Sequence, residues 1–199
     1  AAYQITLDRV VGEHKLPENC IVIAAGNRIT DKSVSFKMPK ALANRLMHFD
    51  VTTNVDSWLK WAMEKGINEK IRGFIQFKRD YLMKFEPGSD ELAFPTPRSW
   101  EMVSNILNYI DGDIDKVFPL VEGTVGMGAA IEFRSWMNVY KSLPSVEDIF
   151  AGKNVAAPKK SDVLYALVSS MARYAMDNKD NMDMIANSIR FARKLPADY

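Results

Sequence analysis

From Asn54 onward, apolar residues return every three or four positions behind residues able to cap a helix, and this pattern limits most of the chain to helical packing. Asn54 precedes Trp58, Leu59, Trp61 and Ala62, with Gly66 as the stop. An Asn side chain accepts from the free amides of a first turn, and glycine takes the left-handed conformation that ends a helix. Asn68 opens a second stretch carrying Ile71, Phe74, Ile75 and Lys78. Thr96 caps a third, with Pro97 at its first position and Trp100, Val103, Ile106, Leu107 and Ile110 as its buried stripe before Asp111-Gly112. Further helices are expected near 113–121, 125–142, 145–151, 161–178 and 180–194, and Ser145-Val146-Glu147-Asp148 matches a capping box. The stretch from Gly152 to Lys160, containing Pro158, is the best linker candidate, with the helices after it expected to pack back. Trp58, Trp61, Trp100 and Trp136 fall on helical stripes and read as core.

The first fifty residues read differently. Residues 5–16 suggest a hairpin, with Ile5, Leu7 and Val10-Val11 ahead of Gly12 and a return through His14-Lys15-Leu16 to Pro17. Ile21-Val22-Ile23-Ala24-Ala25 is a continuous apolar run, the pattern of a strand covered on both faces, and it breaks into Gly26-Asn27-Arg28. After a polar loop from Thr30 to Lys37, Pro39 suits the first position of a short helix ending near Arg45, and Met47-His48-Phe49-Asp50-Val51 alternates like another strand. The expected class is α+β, mostly α, with an α/β part over 1–53 and helices over 54–199.

Composition narrows the function classes. In 199 residues, 26 basic and 25 acidic side chains leave a formal charge of +1, which gives no electrostatic case for nucleic acid or an anionic membrane as partner. Cys20 is the single cysteine, and with His14 and His48 it forms no metal-ligand spacing. No apolar run approaches the roughly 20 residues needed to cross a bilayer, and the cytoplasm is the default location.

Three motifs in order carry a resemblance: the apolar run ending in Asn27, the segment Met38-Pro39-Lys40-Ala41-Leu42-Ala43-Asn44-Arg45, and Pro95-Thr96-Pro97-Arg98-Ser99-Trp100. Strand-amide, helix-arginine and lid-arginine in this order resemble the AAA+ ATPases, in particular the MoxR-like branch. The resemblance implies Asn27 at sensor 1, Arg45 as the arginine finger and Arg98 at sensor 2. It covers most of the chain. No G-x-x-x-x-G-K-[ST] loop is present, since Gly152-Lys153 lacks both the upstream glycine and the following hydroxyl residue. No apolar strand ends in paired acids that would hold magnesium. The chain begins at Ala1-Ala2-Tyr3-Gln4 without a Met, and the expectation is a C-terminal fragment, inactive alone. For the complete protein the resemblance implies ATP and Mg2+ as cofactors, a hexameric ring, and hydrolysis coupled to remodelling of a client. A von Willebrand factor A domain protein is the implied partner class.

Each of these residues also has a plainer reading. Gly-Asn after a strand is commonly a turn; at sensor 1, the Asn27 amide would instead orient an attacking water beside a γ-phosphate. Leu16-Pro17-Glu18 before it and Thr30-Asp31-Lys32 after it favour sensor 1, while Arg28 departs from the proline common in MoxR proteins at that point. Arg45 at a helix end gains from free carbonyls and the dipole, whereas a finger would reach phosphate in the adjacent subunit. Arg98 lies in a first turn, where the dipole disfavours a cation, so a bound polyanion explains it better than a stem covering apolar surface. Gly123, Gly126 and Gly128 follow no strand and read as a helix start and close helix packing rather than a phosphate loop. Phe36 and Met38 are candidates for a partner-facing loop. The rival to the ATPase is a non-enzymatic helical interaction module that retains an ATPase-like half.

Overall fold

The computed structural model describes residues 2–26, 38–86, 90–109 and 113–198. The chain is mostly helical and divides into two compact units, parting between Thr52 and Thr53.

The first unit contains helix α1 (Ala2–Leu7), strands β1 (Val10–Val11) and β2 (His14–Lys15), and helix α2 (Lys40–Ala43). β1 and β2 pair antiparallel with Val10 opposite Lys15 and Val11 opposite His14, around Gly12 at φ 61°. The expected hairpin over 5–16 therefore shrinks to its tip. Leu16 still donates to the Arg9 carbonyl at 2.7 Å, but the same register would set Asp8 opposite Pro17, which has no N–H for the ladder. Residues 2–7 turn helical instead. The Arg9 guanidinium closes the return loop by donating to the carbonyls of Pro17 at 2.8 Å and Cys20 at 2.7 Å.

Two expected strands do not form. Residues 21–26 and 47–52 have no regular structure, and Ile21, Ile23, Met47, Phe49 and Val51 are all more than three-quarters exposed. An apolar run becomes a strand only where its amides and carbonyls find a ladder, and β1–β2 is the only sheet among the described residues.

The second unit holds helices α3 (Val55–Glu64), α4 (Glu69–Phe77), α5 (Pro97–Tyr109), α6 (Ile114–Val125), α7 (Met127–Tyr140), α8 (Val146–Phe150), α9 (Ser161–Asp177) and α10 (Met182–Ala192), with a 3-10 turn over Arg79–Leu82. Its caps are those the sequence marks. Asn54 accepts from the Ser57 amide at 2.8 Å, Asn68 from Lys70 at 3.0 Å and Ser145 from Asp148 at 3.1 Å, while Gly66 follows α3 at φ 69°. Each such cap is worth about 1 kcal/mol. α4 forms the centre. Phe74 is fully enclosed, its ring 5.3 Å from those of Trp100 and Phe133 and 6.2 Å from Trp136. Trp58, Trp100 and Trp136 are buried as expected, and Trp61 is half-buried beside them.

The stretch 152–160 does not separate two bodies, because α9 packs along α4. Gly73 permits the close approach: a Cβ there would stand 2.7 Å from Ser169 Oγ and 3.0 Å from the Trp136 ring. A second cluster of Ile149, Phe150, Leu167, Met171 and Phe191 joins α8, α9 and α10, and Asn187 donates to the Phe150 carbonyl at 3.0 Å.

Of the three central glycines only Gly126 has the expected packing role. It joins α6 to α7 at φ 82° and ψ 156°, a conformation open essentially to glycine alone, and a Cβ would lie 2.6 Å from the Ala93 carbonyl oxygen. Gly123 and Gly128 face open space. Gly126→Ala is expected to cost about 3 kcal/mol and to lower Tm by roughly 6–12 °C in a thermal melt. Gly128→Ala should leave Tm within about 2 °C, and equal melts for the two variants would refute the strain at Gly126.

Candidate functional site

The best-anchored of the three resemblance residues is Arg98. Thr96 Oγ1 accepts from the Ser99 amide at 3.0 Å, and Ser99 Oγ accepts from the Thr96 amide at 2.7 Å, so the two residues cap each other reciprocally. Pro97 occupies the first position of α5, where a missing N–H costs nothing. Ser99 and Trp100 turn inward and are buried, leaving Arg98 as the exposed cation of the first turn. The base beneath it is fixed: Trp100 Nε1 donates to the Tyr81 carbonyl at 2.6 Å, and the Lys84 amide donates to the Pro95 carbonyl at 3.1 Å. Sequence reasoning found Thr96 and missed Ser99, because a serine three residues after a cap is a weaker signal than the Glu or Gln of the usual box.

Arg45 belongs to the first unit and follows α2 directly. Its Nη1 donates to the Ala41 carbonyl at 2.8 Å, and the guanidinium stands 5.7 Å from the centre of the Tyr3 ring. His48 Nε2 lies 2.8 Å from the Ala43 carbonyl; a carbonyl can only accept, so Nε2 carries the hydrogen. Arg45 thus serves an open carbonyl of this four-residue helix, the local role its position favours, and His48 joins the Leu46 amide on the Ala43 carbonyl. Arg45 is exposed, and its guanidinium keeps further donors for another acceptor.

Asn27 lies outside the described residues, as do Arg28, Thr30-Asp31-Lys32 and Phe36. Met38 is exposed at the edge of that stretch.

Two polar regions were not foreseen. One is an open cleft of about 570 Å³ between α9 and α10, lined by Asp177, Asn178, Asp180, Asn181, Met182 and Asp183. Three of its groups are engaged locally: Asp177 pairs with Arg173 at 3.0 Å, Asn178 donates to Tyr174, and Asn181 caps α10. Among the described residues no acidic, histidine and cysteine side chains converge as a metal site.

The other lies where α4, α7 and α9 meet. Arg72 on α4 is half-buried, and its Nε is enclosed with no hydrogen-bond partner. Burial holds its pKa below the usual arginine value, with Arg173 adding to the effect and Glu69 and Tyr140 opposing it. Burial likewise raises Tyr140, whose hydroxyl meets those of Ser170 and Ser169 and donates weakly to the Glu69 carbonyl at 3.4 Å. No sequence signal marks this cluster, since Tyr140, Ser169 and Ser170 follow Arg72 by nearly seventy to a hundred positions.

No helix among the described residues is long and apolar enough to cross a membrane. Comparison of the chain with known protein families, with curated proteins and with solved structures finds no match.

Proposed function

We propose that this chain is the C-terminal part of a MoxR-like AAA+ ATPase. In this reading the complete protein is cytoplasmic, binds ATP with Mg2+, forms a hexameric ring and couples hydrolysis to the remodelling of a client. Its partner would be a protein with a von Willebrand factor A domain. The observation that carries the reading is Arg98, an exposed cation in the first turn of a doubly capped helix. The helix dipole disfavours a positive side chain there, and a bound phosphate reverses that penalty.

The order of motifs supports it as well, and so do the two exposed rows Ile21, Ile23 and Met47, Phe49, Val51. The first is part of a continuous apolar run and the second alternates, both patterns of strands that find neighbours in a larger sheet. Arg98 fits a phosphate of ATP in its own subunit, and Arg45 fits one bound next door once it releases the Ala41 carbonyl. Asn27 would hold the attacking water. Magnesium would neutralise the charge that develops on the transferred phosphate; none of the described residues is assigned to it.

The second reading, a helical interaction module without catalysis, draws on the Arg45 bond to Ala41, which satisfies that arginine locally. Calorimetry separates the two. The chain should show no turnover and should bind ATP with Mg2+ more weakly than about 1 µM, with the residual heat lost in Arg98→Ala. Heat unchanged by that substitution favours the module, and submicromolar binding would overturn the view that the main phosphate contacts lie outside this chain.

A further inference from the structure

A cation taken partly out of water and given no counter-ion is costly, and Arg72 is in that position. Among the described residues no carboxylate lies within ion-pair distance of it; Glu69, one turn earlier on α4, acts on it only from farther away, and Asp177 is committed to Arg173. The like charge of Arg173 adds to the cost. A buried unsatisfied donor in a folded protein calls for an explanation, and a bound water or ion is one of those available. The surroundings supply further donors. Ser169 is pressed against Gly73, the residue after Arg72, and the Tyr140 hydroxyl is spent only on a long bond to Glu69 and on its serine neighbours.

We propose that the seam of α4, α7 and α9 binds a tetrahedral oxyanion, as free phosphate or as a phosphomonoester. Arg72 supplies the guanidinium fork, and Ser170 and Tyr140 the hydroxyl donors. Guanidinium groups match such oxygens with paired, charge-assisted hydrogen bonds. The site is separate from the first turn of α5 and does not depend on the ATPase reading.

The test uses the whole chain in the Arg98→Ala background, so that an anion held at α5 cannot contribute. Binding of inorganic phosphate and of phenyl phosphate is titrated by calorimetry and by thermal melting at constant ionic strength. Saturable binding of either anion, with a rise in Tm that chloride does not reproduce, is expected. Response to both identifies a site open to an organic substituent, and response to phosphate alone identifies a site for the free ion. Arg72→Met, which keeps the apolar stem, should weaken binding by at least about ten-fold without lowering the Tm of the anion-free chain. Ser170→Glu places a carboxylate beside the Tyr140 hydroxyl and should abolish binding while the chain stays folded. No saturable binding, or unchanged affinity in Arg72→Met or in Ser170→Glu, overturns the proposal.

Discussion

Replacing Arg45 with alanine in the complete ring is expected to lower ATP turnover by roughly 10³–10⁵-fold, the range that arginine fingers contribute where they stabilise the charge spread in phosphoryl transfer. Light scattering should show the ring intact. On the proposed reading the finger acts between subunits, so mixing Arg45→Ala with a phosphate-loop variant should restore part of the activity, because some sites then combine a sound loop with a sound finger. Arg98→Ala mixed with the same loop variant should recover little, since both defects fall on groups working within one subunit. An Arg45→Ala ring that hydrolyses ATP at the unmodified rate would leave the bond to the Ala41 carbonyl as the whole account of this residue.

Trp100→Ala should cost the helical unit about 3–5 kcal/mol, the usual range for removing a large buried aromatic ring. Trp100 has no exposed surface, its ring lies 5.3 Å from Phe74 and 5.5 Å from Phe133, and its N–H is the donor that ties α5 to the Tyr81 carbonyl. Domains have only about 5–15 kcal/mol of stability in total, so the variant should lose much of its helical circular dichroism well below the melting range of the parent. The phosphate contacts proposed for Arg98 should weaken with it, because the same side chain fixes the turn that carries the arginine. A shift in Tm of less than about 3 °C would show that the core around Phe74 closes over the gap.

Local chemistry explains why so much of the helical unit could be read from sequence. A cap such as Asn54 or Ser145 involves residues within one turn, and a stripe such as Trp100, Val103 and Leu107 needs only the helical period. Strands depend on partners that the segment itself does not encode. Ile21–Ala25 and Met47–Val51 have strand patterns and no ladder among the described residues, while Pro17 cuts the first hairpin short. The candidate site divides in the same way. The setting of Arg98 was legible because Thr96 and Pro97 precede it, whereas Arg72 was not, since its isolation results from how α7 and α9 enclose it.

The packing of α9 against α4 also has a consequence for synthesis. α4 is complete at Phe77, but Ser161, where α9 begins, follows more than eighty residues later. At about 5–20 residues per second, the face of α4 around Gly73 waits several seconds on the ribosome before its final cover emerges. During that interval the nascent chain shows other proteins an apolar surface that the finished molecule hides, and a factor that recognises such surfaces has its opportunity then and not afterwards.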